Sequence, residues 1–312
     1  IGQAVPAHCL RANRKYDGVD FRVVHSGSLS RFCKPRSLPE SPTVCVIFRV
    51  DLAAFRATLD VRFMCLILFG YRTSPQYPLI VAANRDEFHA RDSATAAFWL
   101  DHPYVLAGRD LVAGGTWLGC TTSGRFAALT NFSGPDDAPA PKSRGLLVQN
   151  FLTGSDSAEH YGHHIHGPDY AGFNLLLFDG EHMVYTSNKG TTDVLQPGFY
   201  GLSNAELGAR WPKCIRGAQG LRRITEGEFT DADLIGLLHD SDIPADDQLP
   251  HRGRPIELER RVAPSFIVGD EYGTRASTAV IMSNSTLQFT EQSFAAGGIS
   301  TGLVDYAVEL SS

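Results

Sequence analysis

The chain has 312 residues, a net charge of −6, 43% hydrophobic and 20% charged residues. That length accommodates one large or two small domains with an ample core, no apolar run approaches the ~18 residues that span a bilayer, and the acidic balance argues against general nucleic-acid binding, which needs clustered Lys and Arg. Six cysteines without a C-x-x-C pair exclude a zinc ribbon, a thioredoxin motif and a disulfide scaffold, so reduced thiols and a cytoplasmic location are expected.

Residues 1–63 differ in composition from the rest of the chain. They hold ten Lys/Arg, five Asp/Glu and half of the cysteines, and they begin with Ile1. Three readings stand: translated sequence upstream of a true start at Met64, a targeting segment (mitochondrial if a transit peptide), or a pro-segment removed to expose Cys65. Under all three, 1–63 is set apart as a leader and 64–312 is read as a single domain.

From Met64 onward, short apolar runs bounded by Gly, Asn or Asp predict strands at 65–71, 78–83, 115–120, 125–131, 173–179, 182–187, 265–268, 278–283 and 286–291. A hairpin is expected around Asp179-Gly180-Glu181. Helices are expected at 143–153, with Ser143 as N-cap, at 210–224, and at 230–239, where Thr230 and Asp233 form an acidic capping box. The Pro- and charge-rich stretch 241–260 reads as an exposed loop. Strands at both ends with helices between predict one α+β layered domain.

Met64-Cys65 is the pair that carries chemistry. With Met64 removed, Cys65 would bear its own α-amine, a base with a free pKa near ~8, beside a thiol nucleophile. The ordinary fate of such a cysteine is a small buried apolar residue in a strand. An antiparallel second strand would return Asn84-Arg85-Asp86 to the start of the first. Asp86 would then hold the amine, and Arg85 would favour the thiolate; the alternative for Asn84-Arg85-Asp86-Glu87 is a capped turn with a surface ion pair. Asn131 ends a strand, and Asn188 sits in Thr186-Ser187-Asn188. Both are candidate oxyanion donors or turn-forming residues. Arg275 precedes a strand, as a buried partner or a solvated cation. Gly114-Gly115-Thr116-Trp117 permits close backbone approach but lacks the pattern of a phosphate loop. His160, His163, His164 and His166 form a solvated patch without the metalloprotease pattern, and remain candidates for haem contact.

Met64-Cys65-Leu66-Ile67-Leu68-Phe69, Ala82-Ala83-Asn84-Arg85-Asp86-Glu87-Phe88, Ala107-Gly108-Arg109-Asp110, Gly114-Gly115-Thr116-Trp117-Leu118-Gly119 and Tyr272-Gly273-Thr274-Arg275 together resemble the NRDE family, the transport and Golgi organisation protein 2 family. The match runs in order from Met64 to about Phe294. The resemblance implies a four-layer α-β-β-α sandwich of N-terminal-nucleophile type, and roles in Golgi organisation, mitochondrial and lipid metabolism, and haem trafficking. A more distant likeness to choloylglycine hydrolases and penicillin acylases gives Asp86 the amine-holding role and Asn131 the oxyanion role. It makes Asn188 their second Asn and Arg275 their late catalytic Arg. Arg85 inherits nothing securely, because Ala83 stands where they have Arg.

Two functions are expected. The first is a cysteine amidohydrolase or thioesterase on a small-molecule acyl substrate, with Cys65, Asp86, Arg85, Asn131, Asn188 and Arg275 catalytic, Asn84 and Trp117 on the substrate side, and no metal or required cofactor. The second is a non-catalytic carrier of haem or a lipid-like ligand. The oligomeric state is not legible in the sequence.

Overall fold

Apolar residues alternate along the first two strands and cover both of their faces. In β1 (Cys65–Tyr71), Ile67, Phe69 and Tyr71 face one side, and Leu66 and Leu68 the other. In β2 (Leu79–Phe88), Val81 and Ala83 oppose Ile80 and Ala82 in the same way. A sheet apolar on both faces needs cover on both, and the computed structural model supplies it. It describes residues 64–132, 140–253 and 255–311; the leader assigned to 1–63 lies outside the described residues.

The further strands are β3 (Ser93–Phe98), β4 (Val105–Asp110), β5 (Leu118–Thr121), β6 (Phe126–Asn131), β7 (Phe173–Phe178), β8 (Met183–Ser187), β9 (Thr192–Val194), β10 (Gly198–Leu202), β11 (Tyr272–Met282), β12 (Thr286–Phe294) and β13 (Ser300–Glu309). The helices are α1 (Gly145–Thr153), α2 (Ala158–His163), α3 (Pro212–Thr225), α4 (Asp231–Leu237) and α5 (Ile256–Val262). One sheet has the order β10-β1-β2-β11-β12-β13 and the other runs β3 to β9 in sequence. The pairings within both are antiparallel.

Between the sheets, Phe69 and Val280 of the first pack with Phe126 and Leu176 of the second. Leu221 of α3 and Leu234 of α4 cover Leu68 and Ala279 on the outer face of the first sheet. Val148 and Phe151 of α1 cover Val105 and Leu175 on the outer face of the second. The result is the expected α-β-β-α layering.

The structure departs from the sequence reading in three ways. First, β2 does not stop at 83: it runs through Asn84-Arg85-Asp86-Glu87 to Phe88 and is buried for nine of its ten residues. Its partner β11 starts at Tyr272, so these polar residues lie inside a sheet rather than on a capped turn. Second, 265–268 is not a strand, and 241–260 is not wholly loop, since it contains the start of α5. Third, five strands were unforeseen. Four of them (β3, β9, β10 and β13) are the sheet edges, where half-exposed polar strands lose the apolar alternation that marks interior ones. The Thr230–Asp233 capping box is present; at α1 the N-cap is Arg144, not Ser143.

Gly114 and Gly115 both take positive φ, +73° and +77°. A Cβ on Gly115 would lie 2.3 Å from the carbonyl carbon of Gly145, so the loop presses against the start of α1, and the Thr116 N–H donates to the Gly145 carbonyl at 3.2 Å. Trp117 is thereby fixed between the sheets. Gly115→Ala should lose about 2–4 kcal/mol, from left-handed strain plus overpacking; denaturant unfolding checks this, and a loss under about 1 kcal/mol would contradict the close approach.

Candidate active site

The register of β1 on β2 pairs Cys65 with Arg85 and Leu66 with Asn84. Side chains alternate along a strand, so Arg85 and Glu87 share the inter-sheet face with Ala83. Asn84 and Asp86 point to the helix-covered face with Ala82. The contacts agree. Arg85 lies 4.3 Å over the Trp117 ring. Asn84 donates to the carbonyls of Leu238 (3.0 Å) and Ser265 (2.7 Å) and accepts from the Ser277 hydroxyl at 2.6 Å. Asn84 therefore ties the sheet to its helical cover. It borders a small pocket shared with Cys65, Arg85 and Trp117.

A cavity of about 280 Å³ opens at the end of β1. Cys65, Arg85, Asp86, Trp117 and Asn131 line it, as do the residues around the start of α1. Asn131 ends β6, and its side-chain amide makes no hydrogen bond among the described residues. Its backbone carbonyl accepts from Asn204 Nδ2 at 2.8 Å.

The backbone nitrogen of Cys65 sits in a built environment. It donates to Asn204 Oδ1 at 3.0 Å, and the Cys65 carbonyl accepts from the Ser203 hydroxyl at 2.7 Å. The preceding residue, Met64, is buried; its N–H donates to the Tyr272 hydroxyl at 2.5 Å. Asp86 accepts from the Thr274 hydroxyl at Oδ1, 2.6 Å, while its buried Oδ2 has no partner. Burial pushes the Asp86 carboxyl up to about 7, with Lys213, the Thr274 hydroxyl and Arg85 pulling the other way. Burial, then the charge of Asp86, push the Cys65 thiol up to about 12, against the Asp86 backbone N–H and Arg85. A thiol in that state is inert at neutral pH.

Lys213 completes the group. It enters at the first turn of α3, is 5% exposed, and donates to the Val262 carbonyl at 3.2 Å. Burial lowers its pKa, while Asp86, Cys214 and Cys65 raise it.

Two expected residues stand elsewhere. Asn188 Nδ2 donates to the carbonyls of Gly167, Tyr170 and Ala171, and its Oδ1 accepts from Phe173 N–H. It holds a turn and does not line the cavity. Arg275 is the extra residue of a bulge, since Thr274 pairs with Asp86 and Ala276 with Arg85. A bulge re-aims a side chain, and Arg275 donates to the carbonyls of Phe88, His89 and Arg91 instead. Asn204, Lys213 and Thr274 were missed. The signal for Asn204 was present in Gly201-Leu202-Ser203-Asn204, an apolar segment ending in Asn like the one before Asn131. Of the histidine patch, His160 and His164 stack at 4.0 Å, and no His lines the cavity. Among the described residues no group of three or more His, Cys, Asp and Glu is placed to hold a metal ion, and no helix is long and apolar enough to cross a membrane.

A family model described as Transport and Golgi organisation 2 matches residues 64–296. The chain is 36% identical over 256 residues to the Transport and Golgi organization 2 homolog of Mus musculus, covering 74% of this chain and 93% of that protein. It is 28% identical over 268 residues to Transport and Golgi organization protein 2 of Drosophila melanogaster, covering 73% and 92%. Similar solved structures include a Caenorhabditis elegans N-acylethanolamine-hydrolyzing acid amidase ortholog, with TM-score 0.43 and 9% identity over 70% of this chain and 92% of that one. A mutant conjugated bile acid hydrolase from Clostridium perfringens gives 0.44 and 10%, over 79% and 92%.

Proposed function

This chain belongs to the Transport and Golgi organisation 2 family, and we propose that it is a cysteine hydrolase of amide or thioester acyl bonds, active once the peptide before Cys65 has been removed. One observation carries this reading. The nitrogen of Cys65 is held by Asn204 Oδ1, and Asp86 keeps a buried oxygen without a donor. A buried acceptor left unpaired is costly, and a free α-amine at Cys65 supplies the missing N–H groups.

In the reaction, the amine takes the thiol proton and the sulfur attacks the acyl carbon. The carbonyl oxygen becomes an oxyanion facing the uncommitted amide of Asn131. The tetrahedral intermediate collapses, the C–N or C–S bond breaks, and the α-ammonium returns its proton to the leaving group. Water, deprotonated by the same amine, then cleaves the thioester and restores the thiol.

The carrier reading finds less support. Among the described residues lining the cavity there is no His or Met, Cys65 is the single soft ligand, and seven side chains are charged. Such walls do not fit haem or a lipid tail.

The test compares two asparagines in chain beginning at Cys65, assayed on small acyl amides and thioesters. Asn131→Ala should lower kcat about 10²–10³-fold, whereas Asn188→Ala should cost stability and leave kcat within about twofold. Equal losses in kcat, or no turnover by the parent chain, overturn the proposal.

A further inference from the structure

We infer that the substrate of this cavity carries a carboxylate close to the scissile carbonyl, and that Arg85 is the residue that recognises it. The inference rests on the reading of Cys65 as the nucleophile for its placement, but not for its test.

Arg85 is 6% exposed. Its guanidinium makes no hydrogen bond among the described residues, and Nη1 is buried without a partner. Its nearest anion is Glu87, with Nη2 to Oε2 at 3.6 Å, beyond hydrogen-bond length. Glu87 is engaged elsewhere: Oε1 accepts from Phe88 N–H at 2.8 Å, and Oε2 also lies 3.6 Å from Arg91. Trp117 covers one flat face of the guanidinium, and the side chain lines the cavity.

Other arginines of this molecule have hydrogen-bonding partners. Arg91 meets Asp110 at 2.6 Å, Arg252 grips Glu259, and Arg275 serves three carbonyls. A guanidinium offers five donors in fixed geometry, and a buried charge without partners is strongly unfavourable. The sequence keeps this cost beside the nucleophile: Cys65 and Arg85 are direct cross-strand partners, which sets their Cβ atoms roughly 5 Å apart on one face. The group that completes Arg85 is therefore separated from the reacting carbonyl by a short spacer.

A carboxylate is the group that takes up guanidinium donors bidentately. The cavity's volume suits a small molecule. Among the described residues its lining holds four cationic side chains against three carboxylates, and Trp117 offers a flat apolar wall. The anion can belong to either half of the substrate: the acyl part, as in a dicarboxylic monoamide, or the leaving group, as in an N-acyl amino acid.

Calorimetric titration of the full chain decides, because the cavity is formed with Met64 in place and binding needs no free amine. The probes are succinamate (anion on the acyl side), N-acetylglycine (anion on the leaving side) and the neutral N-ethylacetamide, at matched ionic strength. At least one carboxylate should bind at least tenfold more tightly than the neutral amide; which one binds assigns the side. Arg85→Met should weaken it by about 10- to 100-fold, with Arg85→Lys between. Because the guanidinium makes no hydrogen bond among the described residues and its ion pair with Glu87 is long, Arg85→Met, which keeps an apolar stem against Trp117, should not lower the thermal midpoint of the unliganded chain by several degrees. Equal binding of the neutral probe, binding by none, unchanged affinity in Arg85→Met, or a midpoint lowered by several degrees each overturns the inference. Carboxylate binding without hydrolysis by released chain would sink the reaction alone; hydrolysis of neutral amides without carboxylate preference would sink this inference alone.

Discussion

Opening the chain before Cys65 should raise the rate at which iodoacetamide alkylates that thiol at pH 7 by at least about a hundredfold. With the peptide bond in place, burial and Asp86 hold the thiol near 12, so only about one molecule in 10⁵ carries a thiolate at pH 7. The nitrogen is then an amide and accepts no proton. Cleavage turns the same nitrogen into an amine with a free pKa near ~8, adjacent to the sulfur and already oriented by Asn204. Proton transfer becomes internal, and the rate should rise with pH along the titration of the amine. Cys65→Ala should abolish both the label and turnover, by about 10³-fold or more in kcat. Intact mass and N-terminal sequencing of protein from its own cell complete the test. An unchanged alkylation rate, or a mature N-terminus other than Cys65, ends the hydrolase reading.

Much of this site was legible in the sequence because its residues are close along two strands. The apolar run of β1 and that of β2 predict an antiparallel pair, and pairing alone brings Arg85 opposite Cys65. The layering followed from strands, helices and family motifs. What stayed hidden depends on long-range contacts. Asn204, Lys213 and Thr274 reach the site from just beyond β10, from α3 and from β11; Asn204 has the local signal of an apolar segment ending in Asn, whereas nothing local distinguishes Lys213 and Thr274 from other Lys and Thr. Asn188 was the plausible second asparagine by its own context. Its amide is spent on three carbonyls of a neighbouring turn, a commitment visible only in three dimensions. Arg275 misled for another reason: a single bulge in β11 turns it away from the cavity, and the bulge leaves no mark on the period of that strand.

The stability of this chain relative to its Asp86→Asn variant should fall as pH rises from about 4 to about 8. Asp86 is 1% exposed, with one oxygen on Thr274 and the other unpartnered, and burial lifts its carboxyl from 3.8 to about 7. Below about pH 4 folded and unfolded chains both hold the proton. Between about 4 and 7 the folded chain keeps a proton that the unfolded chain has released, so raising the pH favours unfolding. Above about 7 the whole cost of a buried carboxylate is present, at most about 4 kcal/mol at ~1.4 kcal/mol per pKa unit. Asparagine has no such titration. Lys213 acts in the same direction: Asp86 raises its pKa against the lowering by burial, so without that carboxylate the buried ammonium gives up its proton at lower pH and the variant gains more stability than the parent as pH rises. Denaturant midpoints at pH 4, 6 and 8 measure the difference; a gap that is flat with pH, or that grows in favour of Asp86, contradicts it. The same variant should lose hydrolysis in chain beginning at Cys65, since an amide cannot hold the α-ammonium as a carboxylate does. A buried carboxylate that costs folding energy at neutral pH is the stability–activity conflict that the proposed reaction requires of Asp86.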